Sequence, residues 1–288
     1  MEYIIHLLII ASIYSSLAIS LNLLVGFTGI LSVTHAAFYG IGAYATAISM
    51  KTLGFSFLAS VGFGMLITLG FALLVGFVLS RVRGDYYALG SFGFNVIVYS
   101  ILLNWDALTK GPLGIFAIPR PTIAGFTFTS NFSFLLLTIL VCLLLVVISY
   151  YITRSSFGRV LKAIRDDELI LAPFGYTASY FKLAIFSIAA LMASLCGALY
   201  ATYISFIDPS SFSLNESIFI LTIIILGGLA SIRGSIIGAM VLVLLPEALR
   251  FVGLPNEIAA QLRVVLYGVA LVYLMYARPS GLFGKYSP

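Results

Sequence analysis

Residues 1–25 read MEYIIHLLIIASIYSSLAISLNLLV, and no Asp, Glu, Lys or Arg interrupts the stretch from Tyr3 to Val25. A helix rises about 1.5 Å per residue, so a run of this length reaches across a hydrocarbon core of roughly 30 Å. A secretory leader opens on basic residues and has a shorter apolar stretch, whereas Glu2 stands near the start here. The segment therefore reads as a first membrane-spanning helix.

The same pattern recurs along the chain. Of its 288 residues 61% are hydrophobic, and the mean hydropathy is +1.14. The 15 Lys and Arg and 10 Asp and Glu gather between the apolar runs, as expected where a charge near the bilayer centre costs about 2.5 to 3.5 kcal/mol on insertion scales. In hydrocarbon the backbone must satisfy its own hydrogen bonds, so the runs read as helices. Nine segments result, near 3–25, 33–50, 55–80, 86–103, 132–152, 181–207, 214–226, 235–251 and 258–277. The expected fold class is an all-α polytopic membrane protein with about 8–10 transmembrane helices, some short or glycine-broken. The whole of 1–288 forms one transmembrane domain. Gly26, Gly29, Gly40 and Gly42 and the pair Gly234 and Gly238, a GxxxG, point to close helix packing or to broken helices beside a substrate path.

Two connections are long, near 104–131 and 153–180. Placing the second in the cytoplasm puts ten Lys and Arg inside and five outside, the sense of the positive-inside rule. The N-terminus is then outside and the C-terminus cytoplasmic. In such a chain the net charge of +5 belongs to membrane-facing loops and not to nucleic acid. Cys142 and Cys196 lie within apolar runs and read as small hydrophobes. His6 and His35, the only histidines, fall in separate segments, so no metal site is expected. No phosphate-binding G-x-x-x-x-G-K-[ST] loop and no nucleophile, base and acid set is recognisable, so neither a cofactor nor an enzymatic activity is expected.

The inner loop contains GRVLKAIRDDELILAPFGYT, residues 158–177, with six charges between Gly158 and Glu168. Phe157, Val160, Leu161, Ile164, Leu171 and Ala172 fall on one apolar face at helical spacing, interrupted by Glu168. Arg159, Lys162, Arg165 and Asp166 occupy the other sides. Ser155 or Ser156 can cap the start, while Pro173 and Gly175 stop the helix before Tyr176. An interfacial helix would set its basic residues against anionic headgroups. The run Asp166, Asp167 and Glu168 opposes that placement and favours a protein partner.

The stretch SSFGRVLKAIRDDELILAPFGYTASYFKLAIF resembles the cytoplasmic loop of branched-chain amino-acid ABC-transporter permeases of the LivM type. Further similarity runs through LNLLVGFTGILSVTHAAFYGIGAY from Leu21, RGDYYALGSFGF from Arg83, NWDALTKGPLGIFAIPRP from Asn104, SFSLNESIFILTIIILGGLASIRGSIIGA from Ser211 and RPSGLFG from Arg278. The resemblance implies a multi-pass permease subunit in a bacterial-type inner membrane. It also implies a second permease subunit, two separate ATP-binding ABC subunits and an extracytoplasmic substrate-binding protein. Gly158, Arg159, Ala163, Ile164, Arg165, Asp166, Glu168 and Gly175 would form the helix that couples to the ATPases. Family members carry small and acidic residues where this chain has Leu169, Ile170, Leu171 and Pro173, and an acid close to the position of Asn95, Val96 and Ile97.

A leucine-like substrate needs an apolar wall and polar partners for its ammonium and carboxylate. Asn22, Thr34, His35, Asn95 and Glu216 are the polar side chains within apolar segments that could line its path. Each could equally serve as a bond between helices or meet water at a helix end. The outer loop is the natural face for a binding protein, or else a cap over the helices. A permease for urea or short amides, and a self-sufficient channel or secondary transporter, are the alternative functions.

Overall fold

The computed structural model describes residues 2–82, 84–123, 125–250, 268–269 and 281–284. The helices are α1 (Glu2–Thr28), α2 (His35–Thr52), α3 (Phe57–Leu79), α4 (Asp85–Asn104), the single turn α5 (Asp106–Thr109), α6 (Asn131–Arg154), α7 (Ser156–Asp167), α8 (Ala178–Ile204), α9 (Leu214–Gly227) and α10 (Ile232–Arg250). Two strand pairs of two residues each accompany them. β1 (Ile115–Phe116) pairs antiparallel with β4 (Phe206–Ile207), and β2 (Thr122–Ile123) pairs with β3 (Phe126–Thr127). The protein is an all-α polytopic membrane protein.

Among the described residues α1, α3, α4, α6 and α8 are long and apolar enough to cross a membrane. The seventh and eighth predicted segments form one helix–break–helix unit: α9 and α10 meet at an angle of 119° across a break of four residues. The ninth segment, 258–277, lies outside the described residues except for 268–269, as do Arg83, Arg263, Arg278 and Lys285. α2, the second segment, is buried along nearly all of its length.

Burial sorts the helices into a centre and a rim. α1 and α8 are mostly buried from Leu17 and Ile185 onwards; α8 packs against both α1 and α2, and α1 also packs against α6 and α10. α3, α4 and α6 present Leu58, Leu66, Leu74, Leu89, Ile97, Leu140 and Leu143 outward, the apolar exterior that a bilayer solvates. The outer connection is ordered and joined to the bundle: β1 pairs with β4 after α8, and the Lys51 ammonium at the end of α2 donates to the Phe116 carbonyl at 2.7 Å.

In lipid no hydrophobic force drives helices together, so close backbone approach must supply the contact. Gly42 and Gly197 provide it between α2 and α8. A side-chain carbon at Gly197 would overlap the Tyr39 carbonyl oxygen, and one at Gly42 would overlap the Ser194 carbonyl oxygen. Gly234 and Gly238 of the predicted GxxxG seat α10 on Gly227 and Ile223 of α9 in the same way. Gly197→Leu should destabilise the protein by about 3 kcal/mol or more through overpacking, seen as a lower thermal midpoint in detergent. Gly62→Ala, where the added carbon meets open space, should leave that midpoint unchanged.

Candidate functional site

Two stretches of irregular backbone interrupt the helices, at 29–34 between α1 and α2, where Gly29 and Leu31 are exposed and Ser32 and Thr34 buried, and at 228–231 between α9 and α10. Non-helical backbone at membrane depth survives only where protein or a polar cavity satisfies it. At the second break Asn22, 1% exposed on α1, does this work. Its amide nitrogen donates to the Gly228 carbonyl at 3.3 Å, the Ser231 carbonyl at 3.1 Å and the Ser235 hydroxyl at 2.7 Å. Its amide oxygen accepts from the Ala230 N–H at 2.9 Å. Gly26, one turn on, has no side chain because Asn22 and the Ala230 nitrogen occupy that space. The chain near the C-terminus meets the same joint, with Leu282 N–H donating to Leu226 O and Phe283 N–H to Gly227 O.

A second polar cluster surrounds the start of α2. Thr34 and Ser32 share a hydrogen bond between hydroxyls at 3.0 Å, and His35 Nε2 meets the Ser20 hydroxyl of α1 at 3.1 Å. The Asn95 amide of α4 donates to the Val33 carbonyl at 2.7 Å and to the Ser217 hydroxyl of α9 at 2.6 Å. Ser217 also accepts from the Ala36 N–H at 2.9 Å. His35 Nδ1 and Asn95 Oδ1 are buried without a hydrogen-bond partner, a costly state that a polar guest or water would relieve. Glu216, in the first turn of α9, accepts from the Tyr14 hydroxyl at 2.5 Å. The structure thus places Thr34, His35 and Asn95 around the start of α2. Glu216 adjoins them through Ser217, while Asn22 stands apart as the fastening of the α9–α10 joint.

α7 begins where the Ser155 hydroxyl accepts from the Gly158 N–H at 3.2 Å. Helix geometry ends at Asp167, and a 3-10 turn continues from Glu168 to Phe174 with Pro173 inside it. Gly175 then takes a positive φ of 78°, open to glycine at no steric cost. Gly158, Val160, Leu161 and Ile164 are buried, and Ala163 is half-buried. Gly158 lets α7 cross the end of α6, where a side chain would overlap the Ile152 carbonyl.

The charges on this helix divide in two. Arg159, Lys162, Asp166 and Asp167 are exposed. Arg165, with its side chain 14% exposed, turns inward and donates from Nη1 to the Gly26 carbonyl at 3.1 Å. Glu168 pairs with the buried Lys182 of α8 at 2.6 Å. Helical spacing set Arg165 on the polar side of α7, but its reach carries the guanidinium to a carbonyl at the end of α1, whose last carbonyls lack helical partners.

Tyr14, Ser20, Ser217, Ser231 and Ser235 belong to these clusters and were not singled out from the sequence. Ser12, Ser16 and Ser20 recur every fourth residue on α1, a one-face polar stripe that marks the side turned to other helices. Tyr14 carries no comparable signal.

The family described as the branched-chain amino acid transport system permease component matches residues 3–275. The chain belongs to this family. The high-affinity branched-chain amino acid transport system permease protein LivM of Salmonella typhimurium is 34% identical over 96% of this chain and 69% of its own length. Protein BraD of Pseudomonas aeruginosa, described in the same words, is 24% identical over 99% of this chain and 96% of its length. LivH of Escherichia coli, also a permease protein of that system, is 24% identical over 96% and 92% respectively. No solved structure matches.

Within this permease, removing a buried polar partner strands the groups it satisfied. Asn22→Ala should therefore cost about 2 to 3 kcal/mol, read as a lower thermal midpoint in detergent. Ser235→Ala removes two bonds, from the Asn22 amide and to the Ser231 carbonyl, and should cost about 1.2 kcal/mol at about 0.6 kcal/mol each.

Proposed function

We propose that the chain is the membrane permease subunit of an ATP-driven ABC importer for branched-chain or related amino acids. In this reading residues 1–288 form one permease domain in a bacterial-type inner membrane, with the N-terminus outside and the C-terminus cytoplasmic. A related second permease subunit completes the translocation path. Two ATP-binding subunits supply the energy, and an extracytoplasmic binding protein delivers substrate to the loop at 104–131. Hydrolysis of ATP occurs on those partners, so this chain is not itself an enzyme.

The observation that carries the reading is the divided charge of α7. A short helix packed across the ends of α1, α6 and α8 exposes Arg159, Lys162, Asp166 and Asp167 and holds Arg165 and Glu168 within the permease. The exposed set suits a protein surface of mixed charge, and the inward set suits transmission. When paired ATPases move α7, Arg165 pulls on the Gly26 carbonyl at the end of α1. Asn22, one turn away, holds the α9–α10 joint and moves with it, giving two arrangements that nucleotide can bias. Thr34, His35, Asn95 and Glu216 are the polar groups offered to substrate. Asn22, whose donors and acceptor are all engaged, positions the path without contacting its cargo.

The test is uptake of labelled leucine, isoleucine and valine by proteoliposomes holding this chain with its co-expressed partner subunits and ATP. Uptake of urea or acetamide in place of these amino acids would move the substrate class. Ion-driven uptake by the chain alone would favour a self-sufficient transporter.

Two kinds of variant should separate docking from transmission. Arg159→Glu with Asp167→Lys, at exposed positions away from Arg165, should reduce co-purification of the ATP-binding subunits at least tenfold. Arg165→Ala should leave co-purification and ATP hydrolysis near normal while uptake falls at least tenfold. Full ATP-driven uptake by both would remove α7 from the coupling path.

A further inference from the structure

At the α7 end of the bundle lies a cavity of about 490 Å³ bounded by the ends of α1 and α6, by α7 and by the start of α10. Arg154, Lys162, Arg165 and Arg233 line it beside Phe27 and Tyr150, and among the described residues no acidic side chain does. Among the described residues Arg154, Lys162 and Arg233 have no ion-pair partner. Arg165 is paired with Asp166 at 3.4 Å, so three uncompensated positive charges face one another across the cavity, and an anion held between them turns that repulsion into attraction. The N-terminal end of α10, at Ile232 and Arg233, adds a favourable dipole to the same side.

The approach to this cavity runs along lipid. Leu140, Leu144, Val147 and Tyr151 of α6, at steps of four, three and four residues, form one exposed stripe. Arg154 comes three residues later on the same side, with its guanidinium over the Tyr150 ring at 4.4 Å. Tyr150 and Tyr151 stand where an aromatic belt meets the headgroup level. An apolar track that ends in a basic cavity matches a molecule with acyl chains and an anionic head.

We propose that this cavity holds the headgroup of an anionic phospholipid from the leaflet at the α7 end, with its acyl chains along the α6 stripe. Phosphate ester is the recognised group. The track along α6 selects a lipid over a free anion, whose binding would need no such surface. Bound there, the lipid would bridge α6, α7 and the α9–α10 joint, so the composition of the bilayer would act on the same elements as the proposed coupling. The binding itself does not depend on the transport reading.

The test uses the full chain, delipidated in detergent, with native mass spectrometry and thermal midpoints after addition of phosphatidylglycerol, phosphatidylcholine or inorganic phosphate. Phosphatidylglycerol should be retained at least tenfold more tightly than phosphatidylcholine, and millimolar inorganic phosphate should leave the midpoint unchanged. Arg154→Ala with Arg233→Ala should weaken phosphatidylglycerol binding about thirtyfold, from about fivefold per cation. Arg154→Lys with Arg233→Lys should keep most of it. If the double alanine variant does not fold, Arg233→Ala alone, at an exposed position, should show the fivefold loss. Equal retention of the two lipids, or undiminished binding in the alanine variants, would overturn the site. Stabilisation by inorganic phosphate equal to that by lipid would replace the phospholipid with a free anion.

Discussion

One asparagine, Asn22, fastens the break between α9 and α10 to α1. The α9–α10 joint places the backbone of Gly228, Ala230 and Ser231 out of helical geometry among apolar helices, where each unsatisfied carbonyl or N–H would cost several kcal/mol. Asn22 meets three acceptors and one donor there. With those groups satisfied, α9 can turn back through 119° into α10. Gly26 admits the joint against α1, and Gly234 and Gly238 close the two helices on each other.

That joint has a neighbour on each side. Toward the middle of the bundle, Ser217 of α9 connects it to Asn95 and to the start of α2. Toward the α7 end, the Gly26 carbonyl accepts from Arg165. The polar interior of the permease is therefore a set of linked contacts and not scattered sites. A buried ammonium at Lys182 is tolerable because Glu168 lies 2.6 Å from it, and such a pair fixes one arrangement more than it adds stability. Among the described residues the exposed charges of α7 make only local contacts, Arg159 with Ser156, Asp166 with Arg165 and Asp167 with the Leu169 N–H, and keep a face open to solvent.

Much of this was legible in the residues. The long spans showed in uninterrupted apolar runs, because hydrocarbon leaves little tolerance for charge. Ser155 marked the start of the charged helix, because caps are local matters of backbone geometry, but the helix ends at Asp167 and a 3-10 turn carries the chain to Gly175. Of the polar candidates, Asn95 bonds the Val33 carbonyl beside Thr34, while His35 meets Ser20 of α1. Their partners were hidden: Tyr14 and Ser217 look like ordinary residues of apolar helices until another helix arrives. The short segments near 214–226 and 235–251 read as two spans, since hydropathy counts length and takes no account of a turn between them.

Sequence by itself determined the solvent of this protein, the number and character of its apolar runs, its family and the charged helix between two of them. These follow from burial energies and local propensities, which a linear pattern carries. Only the tertiary structure decided that α2 is buried along nearly its whole length, that α9 and α10 fold back as one unit, and that Arg165 and Glu168 point inward while Lys162 and Asp166 point out. Those outcomes rest on contacts between helices, with partners from 14 positions apart at Glu168 and Lys182 to 206 apart at Asn22 and Gly228. Such contacts depend on which backbones approach closely enough for one side chain to complete another's hydrogen bonds, and no local pattern encodes that distance.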